Sequence, residues 1–257
     1  MELFVVIAII ALLTAILLPS LQNSREHTKA TLCGSNIRQL VLGLAMYETE
    51  NETFPHAFND TPMEPPPGGC AGYFQYDRVG RWWFNHIIDY SRKDSNKDSV
   101  IWCPSRRIND RRLKGDVLCA NYGVNQAICK SWGGRKSYNE FIGTPLGSTD
   151  ITYPAQTLLI VDSGYSTITW WHATDAPPVP LSNTIIEDAA YIPGLRINRE
   201  RDLWPGQEED AINGRHSQKT VNVGFVDGHV SRKEAYNLFV EKTADSYKNL
   251  SPLWRPE

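Results

Sequence analysis

The sequence lacks the short motifs that mark the common catalytic centres. It contains no Gly-x-Ser-x-Gly nucleophile motif, no His-Glu-x-x-His zinc motif and no phosphate-binding loop. Its five cysteines form no Cys-x-x-Cys pair, which argues against a zinc knuckle or a thioredoxin-like redox site. These absences favour a protein that is not an enzyme and that uses no cofactor.

The chain also lacks a strong excess of charge of one sign. Its 26 basic and 29 acidic residues give a formal net charge of −3, and most basic residues are scattered. The one basic cluster, residues 106–114, is interpreted as a solvated loop beside acidic neighbours. Because no broad basic surface is expected, nucleic acid is not predicted as a partner.

Charge is absent from the sixteen residues Leu3–Leu18, which are apolar apart from Thr14. As a helix they would span about 24 Å, close to the ~30 Å hydrocarbon core of a membrane. Beyond Pro19, apolar residues recur at positions 33, 37, 40, 44 and 47, the spacing of one face of an amphipathic helix. The pattern predicts one helix over residues 1–50. Its first 19 residues would lie in a membrane or filament core, and residues 51–257 would form a globular head.

Three interpretations of the apolar run stay open at this point. It can be a cleaved signal peptide, a plain membrane anchor, or a helix that bundles with copies of itself. The run has no basic flank and continues into a patterned helix, which disfavours a signal peptide. A plain anchor does not account for Glu2, since a carboxylate at the edge of an apolar run is costly unless it is paired. A bundle of helices accounts for Glu2, if its carboxylate pairs with the amino terminus of a neighbouring subunit.

The segment MELFVVIAIIALLTAILLPSLQNSRE closely resembles the N-terminus of mature type IV pilins and type II secretion pseudopilins. The match covers the Glu, the apolar run and the Pro at its usual distance from that Glu. The family's basic leader and the Gly before its cleavage point are not part of this sequence. The resemblance implies assembly through the start of the helix, with the residues Glu2, Leu3, Val6, Ile10 and Pro19.

A second resemblance lies near the other end of the chain. The segment NGRHSQKTVNVGFVDGHVSRKE is similar to the C-terminal signature of pilin-like proteins that are abundant in planctomycetes and their relatives. In that group nine residues separate a His from an Asp-Gly hairpin, whereas ten separate His216 from Asp227 and Gly228 here. The resemblance implies an α+β pilin fold, with a long N-terminal helix packed on an antiparallel sheet. A large irregular insertion is expected at residues 165–214.

The function that these resemblances imply is a structural subunit of an extracellular type IV pilus-like filament. A type II secretion pseudopilin and a membrane-anchored surface protein that binds glycans or small solutes are the alternatives. The implied partners are copies of the chain in a helical filament, the inner membrane before assembly, and the pilus or secretion assembly machinery. The implied location is the inner membrane for the precursor, then the cell surface, an extracellular filament or the periplasm.

Local patterns predict the elements of the head. Strands are expected at residues 100–103, at 121–125 on a sheet edge, at 157–162 as a buried strand, and in a hairpin at 221–232. Helices are expected at residues 82–90 and 232–243. Asp227 and Gly228 are interpreted as a two-residue hairpin turn, with Val221, Val223 and Phe225 facing the N-terminal helix.

The cysteines of an exported chain predict at least one disulfide. The candidates are Cys70, Cys103, Cys119 and Cys129, which all lie in loop-rich parts of the head. Since the total is odd, at least one cysteine is free or pairs with another molecule.

The polar residues around the hairpin suggest two ligand sites. His216, Asp227 and His229 could cluster around a metal, but the hairpin turn explains the Asp-Gly pair, so no metal is predicted. Calcium bound through Asp162 and Asp227, or through residues 208–210, is the weaker alternative. The pairs at residues 82–83 and 170–171 supply four of the eight tryptophans. They are interpreted as core or interface residues rather than as an exposed sugar-stacking platform.

Overall fold

The structure, a computed structural model, describes residues 2–59, 80–87, 99–132, 140–178 and 189–256. It has an α+β fold in which one long N-terminal helix packs on a β-sheet, as the sequence predicts. The helices are α1 (Glu2–Asn51), α2 (Arg111–Gly115) and α3 (Glu208–Asn213). The strands are β1 (Phe58–Asn59), β2 (Arg81–Trp82), β3 (Tyr122–Asn125), β4 (Leu158–Asp162), β5 (Thr167–Ile168), β6 (Thr220–Phe225), β7 (Val230–Glu234), β8 (Glu241–Lys242) and β9 (Tyr247–Lys248). Short 3₁₀ helices lie at Trp83–His86, Ser148–Asp150, Trp170–Ala173, Arg196–Glu200, Ser217–Lys219 and Ala235–Leu238.

Helix α1 runs for 50 residues and continues through Pro19. It ends where Glu52 adopts a left-handed conformation with φ of 65°, while the Asn51 side chain donates to the carbonyl of Tyr47. The helix has two environments. Residues 3–25 are exposed, whereas a buried face begins at Ala30 and continues through Cys33, Ile37, Leu40, Val41 and Leu44. The predicted 3–4 spacing is therefore the face that packs on the head.

Five strands form the central sheet in the order β5-β3-β4-β6-β7. β4 pairs antiparallel with both β3 and β6, β7 pairs antiparallel with β6, and β5 pairs parallel with β3 at one edge. All five residues of β4 are buried, which confirms the buried strand predicted at 157–162. The placement of 121–125 at an edge was wrong, because β3 lies between β5 and β4.

The face of β6 that meets α1 is the opposite of the predicted one. Gly224 lies against the helix, since a Cβ at this position would meet the side chains of Val41 and Ile37. The Asn222 amide donates to the carbonyl of Ala30 on the same side of the sheet. Side chains alternate along a strand, so Val221, Val223 and Phe225 point to the other face. Both faces of β6 are buried, so its bulky apolar residues do not identify the side that the helix covers.

Three other predicted elements differ in the structure. Residues 99–103 form a turn and a bend rather than a strand. The helix predicted at 232–243 is wrong, because β7 stays paired with β6 as far as Glu234 and a 3₁₀ turn and β8 follow. The helix predicted at 82–90 is a 3₁₀ helix at Trp83–His86, and residues 88–90 lie outside the described chain. In the first two cases, tertiary hydrogen bonding or loop geometry overrides a weak local pattern.

Candidate functional site

The first feature with a functional surface is the start of α1. We call residues 3–18 the apolar helix segment. Its large side chains are widely exposed, among them Leu3 (70%), Val6 (52%) and Ile10 (56%). Its one polar side chain, Thr14, donates to the carbonyl of Ile10 within the helix. The segment therefore presents no unsatisfied polar group between residues 3 and 18. An exposed apolar surface that extends over sixteen residues is typical of a site of contact with a membrane or a partner.

Across the described ranges of the chain, α1 is the one helix long and apolar enough to cross a membrane, judged by length and composition. Of the residues predicted to take part in assembly, Leu3, Val6, Ile10 and Pro19 are all exposed on this helix. Glu2 is its first residue, and its side chain lies outside the described part of the structure. The structure thus places four of the five predicted assembly residues on the exposed part of one helix.

The second feature is a group of buried polar side chains between α1 and the sheet. We call Cys33, Cys103, Asp162 and His216 the buried polar cluster. The Sγ of Cys33 lies 3.0 Å from Asp162 Oδ1 and 3.4 Å from Cys103 Sγ. On the other side of the carboxylate, His216 Nε2 lies 3.1 Å from Asp162 Oδ2. All four residues are buried, and each comes from a different part of the chain.

The fold explains how these four residues meet. Cys33 lies on the buried face of α1, and Asp162 is the last residue of the central strand β4. Cys103 follows the turn at residues 99–101, and its backbone N–H donates to the Asn121 side chain. His216 directly precedes the 3₁₀ helix that leads into β6. The cluster therefore closes the end of the sheet at which α1 enters the head.

Neighbouring groups hold the Asp162 carboxylate in its charged form. The backbone N–H of Asn222 donates to its Oδ2 at 2.7 Å, and Arg215 Nη1 lies 3.7 Å from its Oδ1. Burial alone would raise the pKa of Asp162, but His216, Arg215 and the Asn222 N–H lower it below its usual value. Burial likewise disfavours a charged His216, yet Asp162 raises the His216 pKa above its ordinary value. Burial is also the main reason why the pKa of Cys33 is raised.

A buried ion pair flanks the cluster. Arg215 donates from Nε and Nη2 to Asp210, at 3.1 and 2.7 Å to Oδ1 and Oδ2 respectively. Its remaining donors reach the carbonyls of Asn121 and Ser163. The hydroxyl of Tyr191 also donates to Asp210. Burial on its own favours a neutral guanidine, but Asp210 beside it raises the pKa of Arg215 well above its ordinary value.

The structure separates His216 from Asp227 and His229, so the three residues do not form one metal site. His229 Nδ1 lies 2.6 Å from Asp227 Oδ1 at the partly exposed tip of the β6–β7 hairpin. His216 is buried and contacts Asp162 rather than the turn. Asp162 and Asp227 lie near opposite ends of β4, whose length is roughly 13 Å at about 3.3 Å per residue. They do not come together around one calcium ion.

The hairpin turn also differs from the predicted two-residue form. The backbone N–H of Phe225 donates to the carbonyl of His229, so three residues, 226–228, connect the strands. The N–H of Gly228 donates to the carbonyl of Phe225, and Gly228 alone in this loop has a positive φ, of 94°. A two-residue type I′ turn needs positive φ at both central residues, whereas a three-residue loop needs it only at the last.

The cysteines that the structure describes are Cys33, Cys103, Cys119 and Cys129. All are buried, and none forms a disulfide with another described residue. Cys70 lies outside the described residues, so the predicted disulfide stays a prediction. Sequence reasoning missed Cys33, which was assigned only a packing role. The available signal was a cysteine on the buried face of a helix together with an aspartate that ends a buried strand.

The tryptophan pairs lie in the core, as expected. Trp170 and Trp171 are buried within a 3₁₀ helix. Trp82 at the end of β2 and Trp83 at the start of the next 3₁₀ helix are buried as well. Trp170 donates from its indole to Glu140, and Trp83 donates to the carbonyl of Ser166. None of the four offers the exposed ring face that stacking on a sugar requires.

His172, next to this pair, gives a prediction about acid stability. Burial, reinforced by Arg201, lowers the pKa of His172 to about 3, while Thr169 hydrogen-bonds its Nδ1. The folded state therefore binds its proton less readily than the unfolded state, whose pKa is about 6.5. The contribution of neutral His172 to the free energy of unfolding is fully present above pH 6.5 and is lost as the pH falls toward 3. Between pH 7.5 and 5 we expect a loss of about 2 kcal/mol.

The measurement is denaturant unfolding of the full chain in detergent micelles at both pH values, for wild type and His172→Asn. The Asn side chain can still accept from Thr169 but does not titrate, so the variant should lose about 2 kcal/mol less than wild type between the two pH values. An equal loss in both proteins would contradict the assignment.

Comparison with known protein families, with curated proteins and with solved structures finds no match to this chain. What the structure itself defines is a long apolar N-terminal helix packed on a β-sheet, a shape like that of pilins. The apolar helix suggests a membrane anchor or a signal sequence.

Proposed function

We propose that this protein is a structural subunit of an extracellular type IV pilus-like filament and assembles through the apolar helix segment. The observation that carries the proposal is the contrast within one continuous helix. Residues 3–25 of α1 are exposed, while the same helix is anchored in the core of the head from Ala30 to Leu44. A partner that buries the exposed part therefore positions the head as well.

Hydrophobic burial provides the driving force. Packing the sixteen residues of the segment against copies of themselves would contribute on the order of 10 kcal/mol per subunit before ordering costs, at ~25 cal/mol per Å². Lipid can cover the same surface before assembly, which fits a precursor held in the inner membrane. The pilus or secretion machinery would then move the subunit from lipid into the filament.

A secretion pseudopilin would use the same helix and the same membrane, and differs in forming short rather than long polymers. A surface protein that binds glycans through exposed tryptophan pairs is disfavoured, because both pairs lie in the core. Filament length therefore separates the two remaining roles.

The carboxylate of Glu2 gives the sharpest test of assembly. In the proposed filament it neutralises the amino terminus of a neighbouring subunit, because the apolar run offers no other charge. Replacing Glu2 with Ala should leave the protein in the membrane fraction but abolish fibres. The measurement is electron microscopy of sheared surface material from cells that supply pilus-type assembly machinery.

Glu50→Ala is the matched control, since it removes an exposed carboxylate at the far end of the same helix. It should form fibres in normal yield. Normal fibres from Glu2→Ala would rule out the proposed pairing. Wild-type protein that stays in the membrane as single subunits would favour a simple anchor, and uniformly short polymers would favour the pseudopilin role.

A further inference from the structure

We propose that the buried polar cluster is a tetrahedral metal site of the zinc class, with Cys33, Cys103, Asp162 and His216 as its four ligands. This differs from the expectation drawn from sequence, which considered His216 only with Asp227 and His229 and predicted no metal. The proposal does not rest on filament assembly, because it concerns how α1 is held on the head.

The spacing of the ligand atoms carries the proposal. One sulfur, oxygen or nitrogen atom from each residue lies within 4.8 Å of the others. Cys33 Sγ lies 3.0 Å from Asp162 Oδ1 and 3.4 Å from Cys103 Sγ, and His216 Nε2 lies 3.1 Å from the other carboxylate oxygen, Oδ2. With Zn–S near 2.3 Å and Zn–N or Zn–O near 2.0–2.2 Å, tetrahedral geometry separates ligand atoms by roughly 3.3–3.8 Å. Small side-chain adjustments bring the four atoms into that range.

The set of donors selects the metal. Two thiolates and an imidazole suit zinc, whereas calcium and magnesium require sites built from oxygen atoms. All four residues are buried, so the site has no open position for water or substrate. A closed four-ligand site is typical of structural rather than catalytic zinc.

The surroundings supply outer contacts to one of the four ligands, Asp162. The Asn222 N–H and the Arg215 guanidinium fix the carboxylate of Asp162 from two directions. On binding Zn²⁺, the two thiols each release a proton to solvent, and His216 binds through an unprotonated ring nitrogen. The occupied centre then carries a charge of −1, from two thiolates, one carboxylate and the ion. The Arg215 cation lies beside it, while Asp210 remains paired with Arg215 on the other side.

The ligands also show what the metal would do. Cys33 lies on α1, whereas the other three lie in the head at chain separations of 70 residues for Cys103 and 129 for Asp162. One ion would join the helix to the segment that follows the turn at residues 99–101, to the end of β4 and to the segment before β6. It would act as a cross-link at the point where force on the exposed helix enters the head.

The test begins with wild-type full chain, purified in detergent without chelators. We expect about one zinc per chain by elemental analysis. X-ray absorption at the zinc edge should give two sulfur neighbours near ~2.3 Å and two nitrogen or oxygen neighbours near ~2.0–2.1 Å. Cobalt substitution should produce the thiolate charge-transfer and visible bands of a tetrahedral site. These measurements do not depend on the folding of any variant.

Variants then assign the ligands. Cys103→Ser should lose most of the bound zinc and the cobalt–thiolate band. Cys129→Ser is the matched control, because Cys129 is also a buried thiol but lies outside the cluster. It should keep both signals. Retention of full zinc by Cys103→Ser would overturn the assignment of that ligand.

Two other results would overturn the site as a whole. A wild-type chain without zinc, in which peptide mapping finds a Cys33–Cys103 disulfide, would show that the pair is an oxidised cross-link. A wild-type chain without zinc and with free thiols, which also fails to take up added zinc or cobalt during refolding, would show a hydrogen-bonded polar core only.

Discussion

Arg215→Met should destabilise the folded chain by about 3–5 kcal/mol, because it leaves buried negative charge without its partner. Arg215 is the main cation beside Asp210 and also faces Asp162. Methionine fills a similar volume but supplies none of the donors that reach Asp210, Asn121 and Ser163. The measurement is denaturant unfolding of the full chain in detergent at neutral pH, followed by tryptophan fluorescence.

The chain contains a matched ion pair at its surface. Arg255 donates from Nε and Nη2 to the two oxygens of Glu140 at 2.9 and 2.7 Å, the same forked geometry that Arg215 uses. Its side chain is 46% exposed, so water solvates the charges and Arg255→Met should cost about 1 kcal/mol or less. Similar losses in the two variants would show that burial does not set the strength of the inner pair.

Arg215→Lys separates charge from geometry. Lysine keeps the positive charge but replaces the planar fork with a single ammonium group. We expect a loss between those of the wild type and the Met variant. A loss as large as that of Arg215→Met would mean that the hydrogen bonds, rather than the charge, hold this part of the core together.

Gly224→Ala is the second prediction, with an expected cost of about 1–3 kcal/mol, and Gly224→Val should cost more. A Cβ on Gly224 would lie about 2.8 Å from Ile160 Cγ2 and 3.0 Å from Ile37 Cγ2, and would clash with Val41. The neighbours are β-branched side chains on α1 and β4, which have little freedom to move away. The substitution therefore pushes the helix off the sheet.

A double-mutant experiment identifies the cause. Val41→Ala removes the methyl groups that meet the new side chain, so it should recover part of the stability of Gly224→Ala. Gly115→Val is the control, because Gly115 is exposed and a Cβ there meets nothing within 4 Å. It should change stability by less than about 0.5 kcal/mol. Additive losses for Gly224→Ala and Val41→Ala would contradict the proposed contact.

Both predictions concern the junction between helix and head, which any filament or membrane role depends on. The exposed part of α1 can transmit force only if the buried part stays in place. Gly224 permits the close approach of α1 to the sheet, and the Arg215–Asp210 pair supports the end of the sheet where Cys33 enters the core. Loss of either contact should therefore weaken assembly even though neither residue lies in the apolar helix segment.

The sequence by itself determined the long helix, its two environments and the central strand. These features depend on local composition and periodicity, namely an apolar run at Leu3–Leu18, the 3–4 spacing from Cys33 onward, and the four apolar residues 158–161 before Asp162. The α+β class was implied by the resemblance to pilins, and the structure confirms it.

Only the tertiary structure decided which face of β6 meets α1 and which polar residues gather beneath the helix. Val221 and Val223 have the apolar side chains expected of core residues whichever face of the strand they lie on. The local sequence does not indicate that α1 packs against Gly224, where the absence of a side chain allows the close approach. Cys33, Cys103, Asp162 and His216 are separated by tens of residues, so no short motif links them. Their meeting depends on strand order and helix docking, which are set by long-range packing rather than by the pattern around each residue.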